Sequence, residues 1–141
     1  MRLRQAQAGF FDRERILAAT TTAERKVLSR FGAFVRQGAR SSIRTRKAPA
    51  PPGQPPSSHT GLLKRNIFFA FDRAHGGVVI GPVTLNQKEG MAPRLLEHGG
   101  TIVRRRSGRT VTNRYAPRPF MRPAFTRELA SLPPLWRDSI R

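Results

Sequence analysis

Five prolines lie within residues 49–56, and they constrain this chain more than any other feature of its sequence. Proline lacks the amide hydrogen that helices and central strands require, and its ring fixes the backbone near polyproline geometry. A helix that approaches this stretch must therefore end before it. Because 141 residues are enough for one core and too few for two, we expect residues 47–60 to form an extended arm inside a single domain, 1–141.

A helical pattern precedes the proline stretch. Apolar or small residues recur there at steps of three and four, which is the spacing of one face of an α-helix. The residues that define this face are Ile16, Thr20, Ala23, Val27, Phe31, Phe34 and Gly38. We predict a long helix over residues 12–46 with Asp12 as its N-cap. Thr21 and Glu24 match a capping box that would bend or restart this helix.

Residues 61–116 favour β-structure. Apolar, aromatic and β-branched residues fill 66–82 on both sides of a glycine-containing turn, which predicts a hairpin. A second hairpin is predicted over residues 101–116, with a turn at Ser107 and the glycine that follows it. The short apolar piece at 93–100 fits either a helix or a strand.

Residues 117–141 are predicted to form a C-terminal helix and tail. Pro119 or Pro123 suits the first turn of that helix, and Pro133 with Pro134 should end it. The order of elements predicts an α+β fold. It would have a long N-terminal helix, a mostly antiparallel β-sheet with extended hairpin and loop arms, and a short C-terminal helix.

The net charge narrows the choice of partners. Lysine and arginine number 27 against 8 acidic residues, which gives a net charge of +19. Such an excess is typical of proteins that work beside a polyanion, most often nucleic acid. No apolar run is long enough to span a membrane, so we expect no membrane partner.

The sequence offers no convincing set of catalytic or metal-binding groups. It has no cysteine, and its three histidines lack the spacing of zinc-binding motifs. Glu97 and His98 are adjacent, so they point to different sides of a regular element and do not form a dyad. Glycine-rich phosphate-binding motifs are also missing from the sequence. We therefore predict no enzyme, with no catalytic residue, no metal site and no cofactor.

The second hairpin is the candidate functional feature. Between residues 101 and 122 the sequence has seven arginines and no acidic residue. Alternate residues of a strand share one face, so these side chains would form a band of guanidinium groups that faces DNA, a protein partner or solvent. The arginines of this candidate surface are Arg104, Arg105, Arg106, Arg109 and Arg114.

Four short motifs follow one another along the chain. They are PGQPP with TGLL and NI at 52–67, VVIGP at 78–82, LEHGGT at 96–101, and RPFMRPAF at 118–125. This order resembles that of the neck and tail-completion proteins of tailed bacteriophages, with a departure from their pattern in residues 85–93. The long N-terminal helix fits the same pattern.

The resemblance implies a structural protein of the virion, located at the head–tail junction and assembled in the cytoplasm of the bacterial host. It implies a homo-oligomeric ring, with six as the expected subunit number, that completes the tail or joins it to the head connector around the DNA channel. The neighbours of the ring would be connector or stopper proteins, the tail tube or terminator, and packaged double-stranded DNA. The alternative is a small basic nucleic-acid-binding protein that acts outside a virion.

Two sets of residues gain a role from this resemblance. The proline-rich arm would contact neighbouring subunits through Pro49, Pro52, Gly53, Pro55, Pro56, Thr60 and Gly61. The other motif residues would be structural, and they are Leu96, Glu97, Gly99, Arg118, Pro119, Phe120 and Pro123. We expect residues 118–123 to fix the packing of the C-terminal helix against the sheet.

Overall fold

The chain folds around its long N-terminal helix in the α+β arrangement that the sequence predicts. A computed structural model describes residues 13–83 and 92–139. Its helices are α1 (Arg13–Ser42), α2 (Leu62–Arg65), α3 (Ala92–His98), α4 (Met121–Glu128) and α5 (Leu132–Arg137), with a 3₁₀ turn (Leu129–Ser131) between the last two. Its strands are β1 (Arg44–Thr45), β2 (Ser57–Ser58), β3 (Ile67–Asp72), β4 (Gly77–Pro82), β5 (Gly100–Arg106) and β6 (Arg109–Tyr115).

One face of α1 is the centre of the hydrophobic core. Val35 and Ala39 are completely buried on this face, and Phe31 and Ile43 extend it by about one turn in each direction. The β3–β4 hairpin and the helices α4 and α5 all pack against α1. The remaining buried members of the core come from these neighbours and from α2, and they are Leu63, Ile67, Phe120 and Ala124.

A glycine on α1 sets how closely the β3–β4 hairpin can approach. A Cβ atom at Gly32 would lie 2.8 Å from a methyl group of Val78 and 3.0 Å from the ring of Phe69. Real Cβ atoms do not come that close to their neighbours, so a larger residue would push the hairpin away from the helix. The small residue therefore brings the core face of the hairpin against the helix backbone.

The strands described form three separate two-stranded ribbons. β3 and β4 are antiparallel, as are β5 and β6, whereas β1 and β2 make a parallel pair of only two rungs. The predicted antiparallel pairing is therefore confirmed. The expected sheet is divided, because each hairpin pairs only within itself.

The prediction for the C-terminal end of the first helix was wrong. α1 ends at Ser42 instead of residue 46. The hydroxyls of Ser41 and Ser42 donate to carbonyl oxygens of the last turn, at 3.0 and 2.8 Å. The chain then leaves the helix, and Arg44–Thr45 pairs with Ser57–Ser58 on the far side of the proline stretch.

The predicted capping box at Thr21 is also wrong. α1 continues through this position, and the hydroxyl of Thr21 donates to the carbonyl of Leu17 at 2.9 Å. A threonine inside a helix can bind back to the preceding turn in this way instead of starting a new helix. Residues 14–22 of α1 are exposed, so Ile16 and its neighbours do not join the core. The predicted N-cap, Asp12, lies outside the described residues.

Two further elements refine the prediction. Residues 93–100, which fit either a helix or a strand, contain most of α3. Pro133 and Pro134 do not end the C-terminal helical region, because they occupy the first turn of α5. Proline is tolerated there, since the N–H groups of a first turn have no partner inside the helix.

Candidate functional site

The side chain of Glu97 closes the start of α4. Its Oε2 accepts hydrogen bonds from the N–H groups of Phe120 at 2.9 Å and Met121 at 3.0 Å, and its Oε1 accepts from Arg122 at 2.8 Å. The first N–H groups of a helix lack partners inside it, and the helix dipole favours a negative charge at this end. The next residue, Pro123, has no N–H to satisfy. One carboxylate therefore serves every donor from the N-cap to the third residue of α4.

Backbone hydrogen bonds reinforce the same contact. The carbonyl of Leu96 accepts from the N–H of Arg118 at 2.6 Å, and the carbonyl of Leu95 accepts from Gly99 at 2.8 Å. Phe120 is 1% exposed and Leu96 packs against the core. The LEHGG and RPFMRP motifs are therefore held together by side-chain and backbone bonds.

The proline-rich segment joins them through Arg118. Its guanidinium donates from Nε to the carbonyl of Ala50 at 2.7 Å, and a second nitrogen donates to Ala116 at 3.3 Å. In the opposite direction, the N–H of Gly53 donates to the carbonyl of Pro117 at 2.8 Å. We call the three segments that meet here, residues 50–53, 95–99 and 116–122, the motif junction.

The proline-rich arm is packed against the rest of the chain near both of its ends. Ala50 is 2% exposed and Pro56 is completely buried, so the segment folds back onto its own chain. Its tip remains at the surface, with Pro49, Pro52 and Gly53 exposed and Pro55 half-buried. The role of these residues as subunit contacts stays a prediction, restricted by this packing to the exposed tip.

Thr60 and Gly61 form the predicted turn at the end of this segment. Gly61 adopts a left-handed backbone with φ 71°, and the Thr60 hydroxyl accepts a hydrogen bond from the N–H of Leu62 at 3.3 Å. The Thr60 carbonyl accepts from the Arg65 guanidinium at 3.1 Å. These contacts lead into α2 and explain the Thr-Gly pair without a neighbouring subunit.

The expectation for residues 118–123 needs correction in one respect. The start of α4 is fixed by Glu97, but α4 then packs on α1 instead of on a sheet. The rings of Phe31 and Phe125 meet edge to face with centroids 5.6 Å apart. Ala124 is buried between the two helices near Gly38, where an added Cβ would lie 3.5 Å from that of Ala124.

Two glycines fix the base of the arginine-rich hairpin. Gly99 has φ 71° and Gly100 has φ 144°, both values that other residues rarely adopt. A Cβ at Gly99 would lie 2.9 Å from the carbonyl oxygen of Tyr115 and 3.0 Å from the ring of Pro117. The hairpin therefore leaves the motif junction through a position that only glycine fits.

The tip of the hairpin is the turn that the sequence predicts. Ser107 has φ 51° and Gly108 has φ 75°, and Arg106 and Arg109 are directly paired on either side of them. Two consecutive residues in the left-handed region define a type I′ turn, whose twist matches that of the flanking strands. The ribbon therefore stays regular up to its last pair.

The register divides the five candidate arginines between two faces. Residues directly opposite each other in an antiparallel pair share a face, and the next pair along lies on the other face. The pairs Arg106 with Arg109 and Arg104 with Val111 place three arginines on one face. Arg105, opposite Thr110, and Arg114, opposite Thr101, lie on the other. The predicted single band is therefore a pair of basic faces.

The hairpin has almost no core of its own. All five arginines are exposed, and so are Val103 at 63% and Val111 at 43%. Only Ile102 and Tyr115, towards the base, are half-buried. A two-stranded ribbon in water is marginally stable, so the turn at its tip and the motif junction at its base hold it in place.

One pair of titratable side chains lies in the β3–β4 turn. Asp72 and His75 lie side by side in the β3–β4 turn, with the carboxylate 2.7 Å from the ring Nδ1. The hydrogen bond from His75, together with one from the N–H of Ala74, lowers the pKa of Asp72 below its ordinary value. Both side chains are at the surface, so this pair stabilises a turn.

Two kinds of feature are absent from residues 13–83 and 92–139. These residues contain no group of three or more histidine, cysteine or acidic side chains placed to hold a metal ion. Within the same ranges, no helix has the length and apolar character needed to cross a membrane.

The chain matches no protein-family model, and neither curated proteins nor solved structures gave a match. The resemblance to phage neck proteins therefore depends on its four motifs alone.

The sequence did not predict which hydrogen bonds the motif residues make. Glu97 and Arg118 were expected to be structural, but nothing in their local sequence indicates that each binds backbone groups of a distant segment. The carboxylate reaches 23 to 25 residues along the chain and the guanidinium reaches 68 residues back. The only available signal was that the motifs occur together in one chain.

Proposed function

We propose that this chain is a structural protein of the neck of a tailed bacteriophage. In this role it forms a homo-oligomeric ring, with six as the expected subunit number, around the DNA channel. The ring completes the tail or joins it to the head connector, next to stopper, terminator or tail-tube proteins. It acts in the virion after assembly in the host cytoplasm, and it has no enzymatic activity.

The observation that carries this proposal is the motif junction. Three of the four motifs behind the resemblance meet there through the contacts of Glu97, Arg118 and Gly53. A chance combination of short motifs has no reason to converge on one cluster of hydrogen bonds. The convergence of these motifs on one cluster of contacts supports membership of the family that they resemble.

The shape of the chain gives a second line of support. The arginine-rich hairpin projects from the junction without packing on a core, and the exposed outer face of the β3–β4 hairpin carries Phe68 at 48% and Val79 at 65% exposure. Neighbouring exposed apolar residues on one face can mark a contact with another protein. A subunit of a ring would cover part of them with its neighbours.

One observation favours the alternative, a small basic nucleic-acid-binding protein that acts outside a virion. The net charge of +19 and five exposed arginines on one hairpin suit phosphate contacts without any assembly. This alternative predicts a monomer or dimer that binds duplex DNA. The neck proposal predicts a ring whose absence stops the joining of heads and tails.

The deciding experiment is a gene deletion in the phage or prophage that encodes the chain, followed by electron microscopy of the lysate. We expect DNA-filled heads and separate tails, restored to joined particles by a plasmid copy of the gene. The same plasmid with an early stop codon is the control. Normal joined particles from the deletion strain would refute the neck proposal. Native mass spectrometry of purified neck complexes then gives the subunit number.

A further inference from the structure

The arginine-rich hairpin carries charge on both of its faces, and this limits how it can meet a polyanion. Arg104, Arg106 and Arg109 occupy one face, while Arg105 and Arg114 occupy the other. A flat, one-sided contact would leave the arginines of the second face turned away from the partner. All five arginines can contact a polyanion together only if anionic groups lie on both sides of the ribbon.

The hairpin also carries a like-charge pair where repulsion is strongest. Arg106 and Arg109 are directly opposite each other at the tip, and Arg104 is the next residue along the same face. Like charges in direct cross-strand pairs destabilise a ribbon. A partner that places phosphates between these guanidinium groups would reverse that effect and stabilise the tip.

The composition of the hairpin favours nucleic acid over an acidic protein. Protein interfaces are anchored by aromatic and large apolar side chains in a desolvated centre. Beyond its base, this ribbon consists of arginines, threonines, Asn113, the turn residues Ser107 and Gly108, and the two exposed valines, Val103 and Val111. Threonine, asparagine and arginine are donors to phosphate oxygens, and interfaces with DNA are correspondingly polar and positively charged.

The dimensions of the ribbon fit the major groove of B-form DNA. That groove is about 12 Å wide and about 8.5 Å deep, and it admits a two-stranded β-ribbon. Two strands side by side, about 4.8 Å apart, can enter edge first, so that each face turns to one phosphate wall. The strands of seven residues are about 20 Å long at about 3.4 Å per residue. This length matches about six base pairs.

We propose that the β5–β6 hairpin inserts into the major groove of duplex DNA and contacts the phosphates of both strands with its two arginine faces. The contact reads no sequence, because the arginines are assigned to phosphates. It rests on the proposed function for the presence of packaged DNA beside the ring. The motif junction holds the base of the hairpin and so fixes where the ribbon leaves the rest of the subunit.

The test compares the two faces in the full-length protein by salt-dependent binding to a short mixed-sequence duplex. One variant carries Arg104→Gln, Arg106→Gln and Arg109→Gln, and the other carries Arg105→Gln and Arg114→Gln. The slope of log affinity against log salt changes by about 0.9 for each phosphate that the protein no longer neutralises. We therefore expect the slope to become shallower by about 2.7 in the first variant and about 1.8 in the second.

Matched controls separate the hairpin from the general charge of the protein. Arg25, Lys26 and Arg73 are exposed cations on α1 and in the β3–β4 turn. Changing all three to glutamine removes as much charge as the first variant but should leave the slope within about 0.5 of the wild type if they contact no phosphate. Equal slopes for the control and the first variant would overturn the proposal, as would an effect confined to one face.

The groove itself is tested with the same proteins. DNA whose cytosines carry glucosylated hydroxymethyl groups has an obstructed major groove, and it should lose the binding that depends on the hairpin. Guanine N7 should be protected from methylation over about six base pairs. Unchanged binding to glucosylated DNA, or displacement of the protein by a minor-groove ligand, would overturn the insertion. Tighter binding to polyglutamate than to duplex at equal salt would assign the hairpin to an acidic protein instead.

These outcomes can be separated from those of the neck proposal. If particles need the chain but neither face affects DNA binding, only the hairpin inference fails. If both faces affect binding while deletion strains still make joined particles, the neck proposal fails and the hairpin inference stands. Circular dichroism melting of each variant shows that the fold is intact before binding is interpreted.

Discussion

Replacing Glu97 should destabilise the N-terminal end of α4. The carboxylate accepts from three consecutive N–H groups, those of Phe120, Met121 and Arg122, at 2.8 to 3.0 Å. In Glu97→Ala all three donors lose their acceptor. In Glu97→Gln one oxygen remains, and the amide NH2 in place of the other cannot accept a hydrogen bond from an N–H group.

The size of the effect follows from these contacts. A hydrogen bond to a charged group is worth about 1.5–3 kcal/mol, but three bonds to one carboxylate do not add in full. Loss of a helix cap costs about 0.5–2 kcal/mol, and loss of the charge at the positive end of the helix dipole about 0.3–1 kcal/mol. Since Glu97 is half-buried, water replaces part of what is lost. We expect about 2–4 kcal/mol for Glu97→Ala and about 1–2 kcal/mol for Glu97→Gln.

Thermal and urea denaturation followed by circular dichroism measure these losses. For a chain of 141 residues we expect the melting temperature to fall by about 3 °C for each kcal/mol, which is about 6–12 °C for Glu97→Ala. Amide hydrogen exchange should accelerate at residues 120–122 before the rest of α4. Glu128→Gln is the matched control, because the carboxylate of Glu128 accepts from its exposed neighbour Arg127 at 3.3 Å and makes no cap hydrogen bond. Equal losses of stability for Glu97→Gln and Glu128→Gln would refute this role of Glu97.

Three further predictions concern other parts of the fold. Arg118→Gln should lower stability by about 1–2 kcal/mol and speed hydrogen exchange in the proline loop, whereas Arg122→Gln, with an exposed side chain, should do neither. Gly99→Ala should lower the free energy of unfolding, measured by urea denaturation, by more than about 2 kcal/mol. The added Cβ would lie only 2.9 Å from a carbonyl oxygen. Gly81→Ala, with open space around it, should be tolerated. In Asp72→Asn the free energy of unfolding should depend less on pH in the acid range. The folded pKa of Asp72 lies below 3.8, so its contribution is present above that value and is lost as pH falls through the folded pKa. An NMR titration showing an ordinary pKa for this carboxyl would contradict the last prediction.

Local patterns in the sequence were enough to predict most of the elements. The apolar stripe through Val27, Phe31 and Gly38 identified α1, because burial of one helical face repeats every three or four residues. The turn at Ser107 was also predictable, since a small polar residue followed by glycine suits two left-handed positions. Where the prediction failed, at Thr21 and at Pro133, the same residue type is compatible with two local structures, and the surrounding packing decides between them.

Such local patterns did not predict the motif junction. Its contacts join Ala50 to Arg118 and Glu97 to Phe120, residues that are far apart in the chain. Periodicity reports which face of an element is buried, but it does not report which distant backbone groups a charged side chain will satisfy. In the sequence, a glutamate that caps a helix from a distant segment cannot be distinguished from a glutamate at the surface.

The two-faced hairpin is a different case, because its geometry follows from the sequence once the turn is fixed. With Ser107 and Gly108 as the turn, paired residues have numbers that sum to 215, as Arg106 and Arg109 do. Arg104 and Arg106 then share a face with Arg109, while Arg105 and Arg114 must lie on the other face. Charge alone suggests a surface that rests against DNA. The register instead places the same arginines on both faces of a ribbon. The proposed insertion would bring phosphates to each face, because a groove has a phosphate backbone on either side.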